Sequence, residues 1–322
     1  MSRLSTAIKS RLSGALRPKP TLKKWVIDPA AAPWYDRPDA LETLERRRAE
    51  ERLSDADYEL LRKWVADGYC VVKGAVPTAE IDRMQRDLDA VWSGDKPVRG
   101  LEVLDVKRRD GGEVPKVPHA ELLAMGEEER AWSRDNSRWR IHAFNRFSES
   151  ARAIFENREL ARLCELIFGR PARPGYTINF MYGSEQPLHQ DTAVFNVMPP
   201  NYLIGAWVAC EDVTEEAGPL VFYPGSHREP LFPKFDNYPQ TNLRTAAPHE
   251  MDEYHAHVAR TSERYERRLF LPEKGDVLLW HGMIIHGGSA LKNPELTRRS
   301  YVIHYVPPGM DVSEQVVGPF NW

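Results

Sequence analysis

Pro187-Leu188-His189-Gln190-Asp191 ends an apolar run and carries a histidine and an aspartate two positions apart. Side chains two positions apart on a β-strand point to the same side, because strand side chains alternate with a period of two. The stretch therefore predicts two potential metal ligands, His189 and Asp191, side by side at the end of a strand.

A third ligand has to come from a distant part of the chain, and the best candidate is His286. It lies in residues 280–288, directly after the strand-like residues 275–280. Two neutral imidazoles and one carboxylate, with open positions, form the facial triad of non-haem Fe(II) oxygenases. A His-x-Asp pair alone is a weak signal, because histidines bonded to carboxylates occur in many cores. The interpretation therefore depends on both ligand segments following strands.

Six short strand-like segments lie in the second half of the chain, with Gly or Pro between them. They are residues 176–182, 202–210, 219–223, 268–271, 276–280 and 300–306. This spacing predicts a double-sheet jelly roll. The expected fold class is mainly β with helical flanks: a jelly-roll core of the double-stranded β-helix, or cupin-like, type with N-terminal helices packed on it.

Residues 38–92 predict a helical module in front of this core. Residues 38–51 are helical in composition and heavily charged, which is typical of a solvated helix face. Ser54 is the predicted N-cap of a second helix that Gly68 closes, and residues 69–72 predict a strand. Thr78 is the predicted cap of a third helix with one apolar face.

Two charged segments predict insertions into the core. Residues 93–137 contain a predicted strand at 101–106 and a short helix near Ala120, and residues 227–267 contain a helix at about 250–266. Long segments of this kind are often lids or binding loops. Between the two insertions, residues 138–144 predict a strand, and residues 150–168 predict one broken helix or two short ones.

These segments define the expected domain organisation. Residues 1–37 form a basic N-terminal segment, and residues 38–322 form a single jelly-roll domain. Within this domain the helical module spans residues 38–92, the core strands span about 138–306, and the lid-like insertions span about 93–137 and 227–267.

The composition is that of a globular protein, with 42% hydrophobic and 10% aromatic residues, which excludes wholesale disorder. The formal net charge of -3 argues against a dedicated nucleic-acid binder. Three widely spaced cysteines indicate neither a disulfide framework nor a zinc ribbon, so a reducing cytoplasm is the expected compartment. No apolar run approaches the roughly 18 residues of a membrane span.

Residues 1–24 form a basic amphipathic pattern. They contain seven basic residues and no acidic one, and Leu4, Ile8, Leu12 and Leu16 recur at intervals of four. Such a pattern can rest on an anionic membrane surface or resemble a transit peptide. We favour a basic tail without membrane contact, because a stretch this short makes a marginal helix.

Several motifs stand in a fixed order around the ligand pair. They are His189-Gln190-Asp191, the run WVACEDVTEEAGPL at residues 207–220, Tyr223-Pro224-Gly225-Ser226-His227, and the run from Gly275 to His286. Together they resemble the phytanoyl-CoA dioxygenase family. The opening Asp67-Gly68-Tyr69-Cys70-Val71-Val72 also looks like the amino-terminal helix, strand and helix of that family. The resemblance covers roughly residues 54–306 and is far more specific than any one motif.

The resemblance implies a jelly-roll core that holds Fe(II), with 2-oxoglutarate and O2 as co-substrates. By position, it implies that His189, Asp191 and His286 are the metal ligands. His281 looks like a companion histidine that the family often has, and we interpret it as structural.

The family also has an arginine about a dozen residues past the distal histidine, and it binds the far carboxylate of 2-oxoglutarate. Arg298 and Arg299 both compete for this role. Arg298 is preferred because the number of residues between it and His304 matches the spacing in the family. An arginine suits the role because its guanidinium fork matches a carboxylate. Ser300 is expected to add a hydroxyl to that carboxylate. Trp207 matches an aromatic residue that lines the co-substrate pocket in relatives.

The expected function is therefore an Fe(II)- and 2-oxoglutarate-dependent dioxygenase that hydroxylates a small molecule. The alternative is a cupin-like metal-dependent isomerase or binding protein without 2-oxoglutarate chemistry. Arg298 discriminates between the two, because the co-substrate has no anchor without a buried arginine near the metal.

Overall fold

The computed structural model describes residues 31–312, so the pattern predicted for residues 1–24 lies outside the described residues. The helices in this range are α1 (Ala40–Glu51), α2 (Asp55–Asp67), α3 (Thr78–Ser93), α4 (His119–Leu123), α5 (Glu127–Asn136), α6 (Glu149–Phe155), α7 (Arg158–Phe168) and α8 (Pro248–Ser262). The strands are β1 (Tyr69–Val72), β2 (Glu102–Lys107), β3 (Glu113–Pro118), β4 (Arg140–His142), β5 (Arg173–Phe180), β6 (Val197–Met198), β7 (Ile204–Ala209), β8 (Leu220–Phe222), β9 (Arg268–Leu269), β10 (Val277–His281), β11 (His286–Gly288), β12 (Ser300–Val306) and β13 (Asp311–Val312).

Capping residues set the ends of helix α2 in the N-terminal module. The Ser54 hydroxyl accepts a hydrogen bond from the Asp57 backbone N–H at 3.1 Å, and Gly68 closes α2 in a left-handed conformation with a φ of 75°. The predicted Thr78 cap of α3 is wrong. Pro77 is the N-cap residue, so Thr78 already lies inside the helix and no side chain caps it.

The largest sheet has eight antiparallel strands in the order β1-β10-β7-β12-β5-β4-β2-β3. Its two faces follow the alternation of side chains along each strand. On β12, Tyr301, Ile303 and Tyr305 pack in one apolar cluster with the buried faces of α2 and α3. Val302 packs in a different cluster with Trp207. The sheet thus carries helices on one face and turns its other face toward the rest of the barrel.

A three-stranded antiparallel sheet, in the order β11-β8-β9, covers this second face. Phe222 on β8 and Ile284 just before β11 pack with Trp207 and Leu278 of the large sheet. Strands β6 and β13 form a separate two-stranded pair. Two sheets over a shared core, with helices outside, confirm the predicted mainly β fold with helical flanks.

Residues 93–137 extend the large sheet. Strands β2 and β3 form a hairpin at its edge, and α4 and α5 follow. The predicted strand at 101–106 and the helix near Ala120 correspond to β2 and α4. Strand β3 and helix α5 were not predicted from the sequence, because their charge-rich residues show no clear apolar period.

Residues 227–267 pack against the small sheet through α8. Tyr254 and Val258 of this helix belong to a small apolar core that also contains Val221 and Ile285. No helix within residues 31–312 is long and apolar enough to cross a membrane.

Candidate metal centre

His189 and His286 lie on neighbouring segments that pair as a short antiparallel bridge. The His189 backbone N–H donates to the His286 carbonyl at 2.8 Å, and the His286 N–H donates to the His189 carbonyl at 3.0 Å. The bridge brings the imidazole ring centroids to 4.4 Å from each other. Two histidines that are almost a hundred positions apart in the sequence therefore share one site.

Asp191 follows in a 3-10 turn that spans Asp191–Ala193. Its Oδ1 atom lies 3.6 Å from Nε2 of His189 and 3.6 Å from Nε2 of His286. One donor atom from each of the three residues lies within 4.8 Å of the others. Within residues 31–312, this is the only cluster of at least three such residues with that geometry.

The other ring nitrogens of the two histidines contact backbone carbonyls. Nδ1 of His189 lies 2.9 Å from the Pro187 oxygen, and Nδ1 of His286 lies 3.1 Å from the Ile284 oxygen. Because a carbonyl oxygen only accepts, each Nδ1 carries the proton and each Nε2 keeps a lone pair. Metal-ligating histidines are usually oriented in this way. Burial and the neighbouring His189 lower the pKa of His286 to about 4, which favours its neutral, metal-binding form.

The second carboxylate oxygen of Asp191 has partners of its own. Trp280 Nε1 donates to Oδ2 at 2.8 Å, and His304 Nε2 lies 3.2 Å from the same atom. Burial raises the pKa of Asp191, but the neighbouring imidazoles of His286, His189 and His304 outweigh this effect. The pKa therefore lies well below its usual value. The ionised carboxylate keeps Oδ1 for a cation.

Sequence analysis did not assign Trp280 or His304 to the site. Trp280 lies on β10 and His304 on β12, and β7 separates these strands in the sheet. The available signal was the period of two on β12, which places His304 on the same face as Val302. That signal becomes useful only when the neighbouring strands are known.

Arg298 lines the same cavity as the three donor residues and is only 3% exposed. Its Nη1 donates to the Gly218 carbonyl at 3.3 Å, and its Cζ lies 5.5 Å from the Trp207 ring centroid. Among the described residues, its Nε has no hydrogen-bond partner. Burial lowers the pKa of Arg298 to about 10, so it stays cationic near pH 7. A buried cation with a free donor fits an anionic ligand.

The structure separates the two arginines that sequence analysis left in competition. Arg299 is not among the residues that line the cavity. Its backbone N–H donates to Glu211 at 2.6 Å, and its Nη1 donates to Gln85 at 3.1 Å. Ser300 is buried beside these arginines, and its hydroxyl has no partner among the described residues. Ser300 is not among the residues that line the cavity.

The cavity lies between the two sheets and has a volume of about 320 Å³. Trp207 and Val302 of the large sheet line it, as do Leu220 and His286 of the small sheet. This volume is at the lower end of the range for small-molecule sites, which is roughly 300–1,000 Å³.

His281 lies outside this cavity, although it directly follows Trp280. Its Nδ1 accepts a hydrogen bond from the Met283 backbone N–H at 3.0 Å, and its Nε2 lies 3.2 Å from Asp36 Oδ2. Its ring also packs edge-to-face with Tyr35 at 5.6 Å. These contacts fit the structural role expected for His281.

The fold and the donor set define a class of protein: two facing antiparallel sheets with a His-x-Asp pair and a distant histidine in the cavity between them. The sequence profile of the family described as phytanoyl-CoA dioxygenase (PhyH) matches residues 64–300. The chain belongs to this family.

Similar curated proteins carry the same family description. The chain is 25% identical over 231 residues to the peroxisomal phytanoyl-CoA dioxygenase of Bos taurus, which covers 70% of this chain and 62% of that protein. It is 30% identical over 143 residues to phytanoyl-CoA dioxygenase domain-containing protein 1 of Danio rerio, with 44% of each chain covered. The matches span less than two thirds of the length of these relatives.

Solved structures share the fold at low sequence identity. The non-heme alpha ketoglutarate dependent epimerase SnoN has a TM-score of 0.53 and 18% identity, covering 79% of this chain and 84% of its own. The carbocyclase SnoK has a TM-score of 0.56 and 16% identity, covering 81% of this chain and 86% of its own. EctD from S. alaskensis has a TM-score of 0.54 and 16% identity, covering 84% and 82%. These likenesses confirm the predicted cupin-type jelly-roll core.

Proposed function

We propose that this protein is a non-haem Fe(II)- and 2-oxoglutarate-dependent dioxygenase that hydroxylates a small molecule and releases succinate and CO2. One observation carries the proposal: the donor cluster of His189, Asp191 and His286 shares a cavity with the buried cation Arg298. Membership of the phytanoyl-CoA dioxygenase family supports it.

The donor set fits Fe(II). Two neutral imidazoles and one carboxylate on one side of a cavity are the ligands of the 2-His-1-carboxylate site. His189 and His286 would bind through Nε2, because their Nδ1 atoms are held by carbonyl oxygens. Asp191 would bind through Oδ1, because Trp280 and His304 hold Oδ2. Each residue thus has one free donor atom, and its orientation is fixed before a metal binds.

Arg298 supplies what 2-oxoglutarate needs beyond a metal. We propose that its guanidinium binds the distal carboxylate, with Trp207 packing beside it and Ser300 adding a hydroxyl after a side-chain rotation. The two carboxylates of 2-oxoglutarate offer a partner for this buried cation, which has no carboxylate partner among the described residues. The burial of Arg298 in the same cavity therefore favours the dioxygenase over the cupin-like alternative.

When bound together, iron and 2-oxoglutarate supply the oxidising chemistry, in which O2 is consumed and one oxygen atom enters a C–H bond of the substrate. The protein's own residues bind, orient and shield these groups. The apolar walls formed by Leu220 and Val302 limit the access of water. The Tyr254 hydroxyl of α8 accepts a hydrogen bond from the Gln190 backbone N–H at 2.9 Å, which fixes the segment between the first two ligands.

We further propose that residues 38–322 form one catalytic domain and that the protein works on a small molecule in a reducing cytoplasm without nucleic acid. The three cysteines are buried and unpaired, which supports a reducing compartment.

Succinate release tests the proposal. Wild-type protein with Fe(II), ascorbate and air should convert 2-oxoglutarate to succinate slowly on its own and faster with a substrate. Asp191→Ala should lose this activity and its bound iron, whereas Asp252→Ala, a change of an exposed carboxylate on α8, should keep both. Absence of succinate and of bound iron in the wild type would count against a dioxygenase.

A further inference from the structure

Positive charge dominates the lining of the cavity. Arg140, Arg244 and Arg298 all line it, and Asp191 is the only acidic residue among the described residues that do so. Arg298 is buried, whereas Arg244 is exposed, which places Arg244 at the opening of the cavity. The opening therefore carries more positive charge than the proposed metal and co-substrate require.

The charge balance of the cavity rests on the proposed function, in which Fe(II) and 2-oxoglutarate are bound. The two positive charges of Fe(II) and the charge of Arg298 balance the two carboxylates of 2-oxoglutarate and Asp191. Arg140 is balanced separately, since its Nε lies 2.7 Å from Asp105 Oδ2. The charge of Arg244 remains uncompensated, because no carboxylate within residues 31–312 lies at ion-pair distance from it. An exposed arginine of this kind is often solvated and binds no ligand. Its position relative to the metal site therefore decides whether Arg244 can bind a substrate.

The backbone of Arg244 is fixed next to the metal-ligand segment. The Leu243 N–H donates to the Ala193 carbonyl at 2.9 Å, two residues after Asp191. The Arg244 N–H donates to Asn242 Oδ1 at 2.8 Å, and Asn242 is itself buried. Arg244 is thus attached to the site by its own main chain and is not a residue of a free loop.

The cavity lining includes four polar residues, Arg140, His142, Tyr176 and Arg244, which we call the polar corner. The Tyr176 hydroxyl lies 2.5 Å from His142 Nδ1 in this corner. Burial raises the pKa of Tyr176 to about 12, and the charges of Arg140 and Arg244 oppose that rise. His142 Nε2 has no hydrogen-bond partner among the described residues. The corner therefore offers the uncompensated cation of Arg244, the guanidinium of Arg140 that is paired with Asp105, and a free ring nitrogen.

We propose that the primary substrate is a small organic anion, a carboxylate or a phosphate ester, and that Arg244 binds its acidic group with help from Arg140. Phe195 and Leu243 line the cavity beside this corner and would contact an apolar part of the same molecule. A guanidinium binds both acidic groups well because its fork matches two oxygen atoms. The acidic group would stay at the opening, while the reacting carbon lies deeper, near the metal.

The test uses four probes of equal chain length: hexanoate, hexyl phosphate, hexan-1-ol and hexylamine. The full chain is loaded with Mn(II) and saturating 2-oxoglutarate, so that no turnover occurs, and its Tm is measured across a concentration series of each probe. We expect an anionic probe to bind about tenfold or more tightly than hexan-1-ol at low salt. The preference should weaken at high salt, because the site lies at the surface.

Variants test whether Arg244 causes the preference for anionic probes. Arg244→Gln should weaken the anionic probe about tenfold and leave hexan-1-ol unchanged. Arg244 is exposed, so the change is not expected to unfold the protein. Arg260→Gln, an equally exposed arginine on α8 outside the cavity, is the matched control and should bind like the wild type. An anion preference that survives in Arg244→Gln and Arg140→Gln would overturn the assignment.

The probes also distinguish a carboxylate substrate from a phosphate ester, and the proposed anion site from the proposed dioxygenase function. Tighter binding of hexanoate would support a carboxylate substrate, and tighter binding of hexyl phosphate would support a phosphate ester. Equal binding of hexan-1-ol and both anions would overturn the anion site. Failure of Mn(II) and 2-oxoglutarate to raise the wild-type Tm would instead contradict the proposed function, and the probe comparison on metal-free protein would still decide on the anion site.

Discussion

At the scale of single residues, Asp191 divides its two carboxylate oxygens between two kinds of partner. Oδ2 is held by Trp280 and His304, while Oδ1 faces the two histidine Nε2 atoms. An ionised carboxylate with one oxygen fixed by protein donors cannot rotate freely away from the site. The two protein contacts therefore orient the proposed metal ligand, as outer contacts commonly do around metals.

Trp280→Phe tests this orientation. The change removes the indole N–H while keeping an aromatic ring, and we expect Mn(II) affinity to fall by roughly 10–100-fold. The dissociation constant can be measured by isothermal titration calorimetry. Trp132→Phe on α5 is the control, because that residue lies outside the cavity. Unchanged Mn(II) affinity in Trp280→Phe would show that the contact does not position Asp191.

The pair Arg298 and Arg299 gives a second test at this scale. Arg298→Lys keeps the charge but loses the fork, so the KM for 2-oxoglutarate should rise by about tenfold or more. Arg299→Lys should change it little, because that residue contacts Glu211 and Gln85 instead. Steady-state succinate kinetics provide both values. A larger effect from Arg299→Lys would reverse the assignment.

At the scale of secondary-structure elements, the register between β7 and β10 sets the position of Trp280. Gly205 lies opposite Trp280 in this pair. A Cβ atom at Gly205 would lie 2.3 Å from Trp280 Cε2, so only glycine leaves room for the indole. The contact between Trp280 and Asp191 therefore depends on a residue in a strand that carries no ligand.

Gly205→Ala should displace the Trp280 ring. We expect the free energy of unfolding to fall by about 1–3 kcal/mol from overpacking, together with weaker Mn(II) binding. Urea unfolding and calorimetry measure the two effects. Gly126→Ala is a suitable control, because a Cβ at Gly126 would have no heavy atom within 4 Å. Equal stability of Gly205→Ala and the wild type would contradict the close packing described for this strand pair.

The sequence predicted most of these elements for identifiable reasons. Residues 69–72 and 300–306 are strands with the expected bounds, because turn residues and apolar stretches delimit them. The convergence of His189, Asp191 and His286 was predicted from alternation and from the family resemblance. The prediction from alternation is wrong here, because Asp191 lies in a 3-10 turn and His189 in an isolated bridge rather than together on a strand. Trp280 and His304 were not predicted, because their contact with Asp191 depends on which strands pair. Pairing is set by the whole sheet and leaves no mark in the local sequence.

At the scale of the whole molecule, buried histidines connect stability to pH. Burial and the charge of His281 lower the pKa of His227 to about 3 from its ordinary value of 6.5. The folded protein therefore keeps this ring neutral, while the unfolded chain takes up a proton as the pH falls below about 6.5. Because the unfolded state binds more protons, the free energy of unfolding falls as the pH is lowered from about 6.5 toward 3.

His227→Gln should remove this part of the pH dependence. From pH 7.5 to pH 5.5, the metal-free wild type should lose about 1.4 kcal/mol more than the variant, since one histidine is protonated only in the unfolded chain. Urea unfolding at the two pH values measures the difference. Equal losses in both proteins would show that His227 is not the source. The comparison cancels contributions from the other histidines.

The proposed dioxygenase activity requires iron at Asp191 and 2-oxoglutarate at Arg298 in one cavity. The most direct measurement is an anaerobic titration of 2-oxoglutarate into Fe(II)-loaded protein, followed by visible absorbance and by the iron bound per chain. Wild type and Asp252→Ala should bind one iron and develop a saturable absorption band. Asp191→Ala should bind no iron and develop none, and Arg298→Gln should bind iron but require far more 2-oxoglutarate. A saturable band of full size in Asp191→Ala, or none in the wild type with iron bound, would contradict the account.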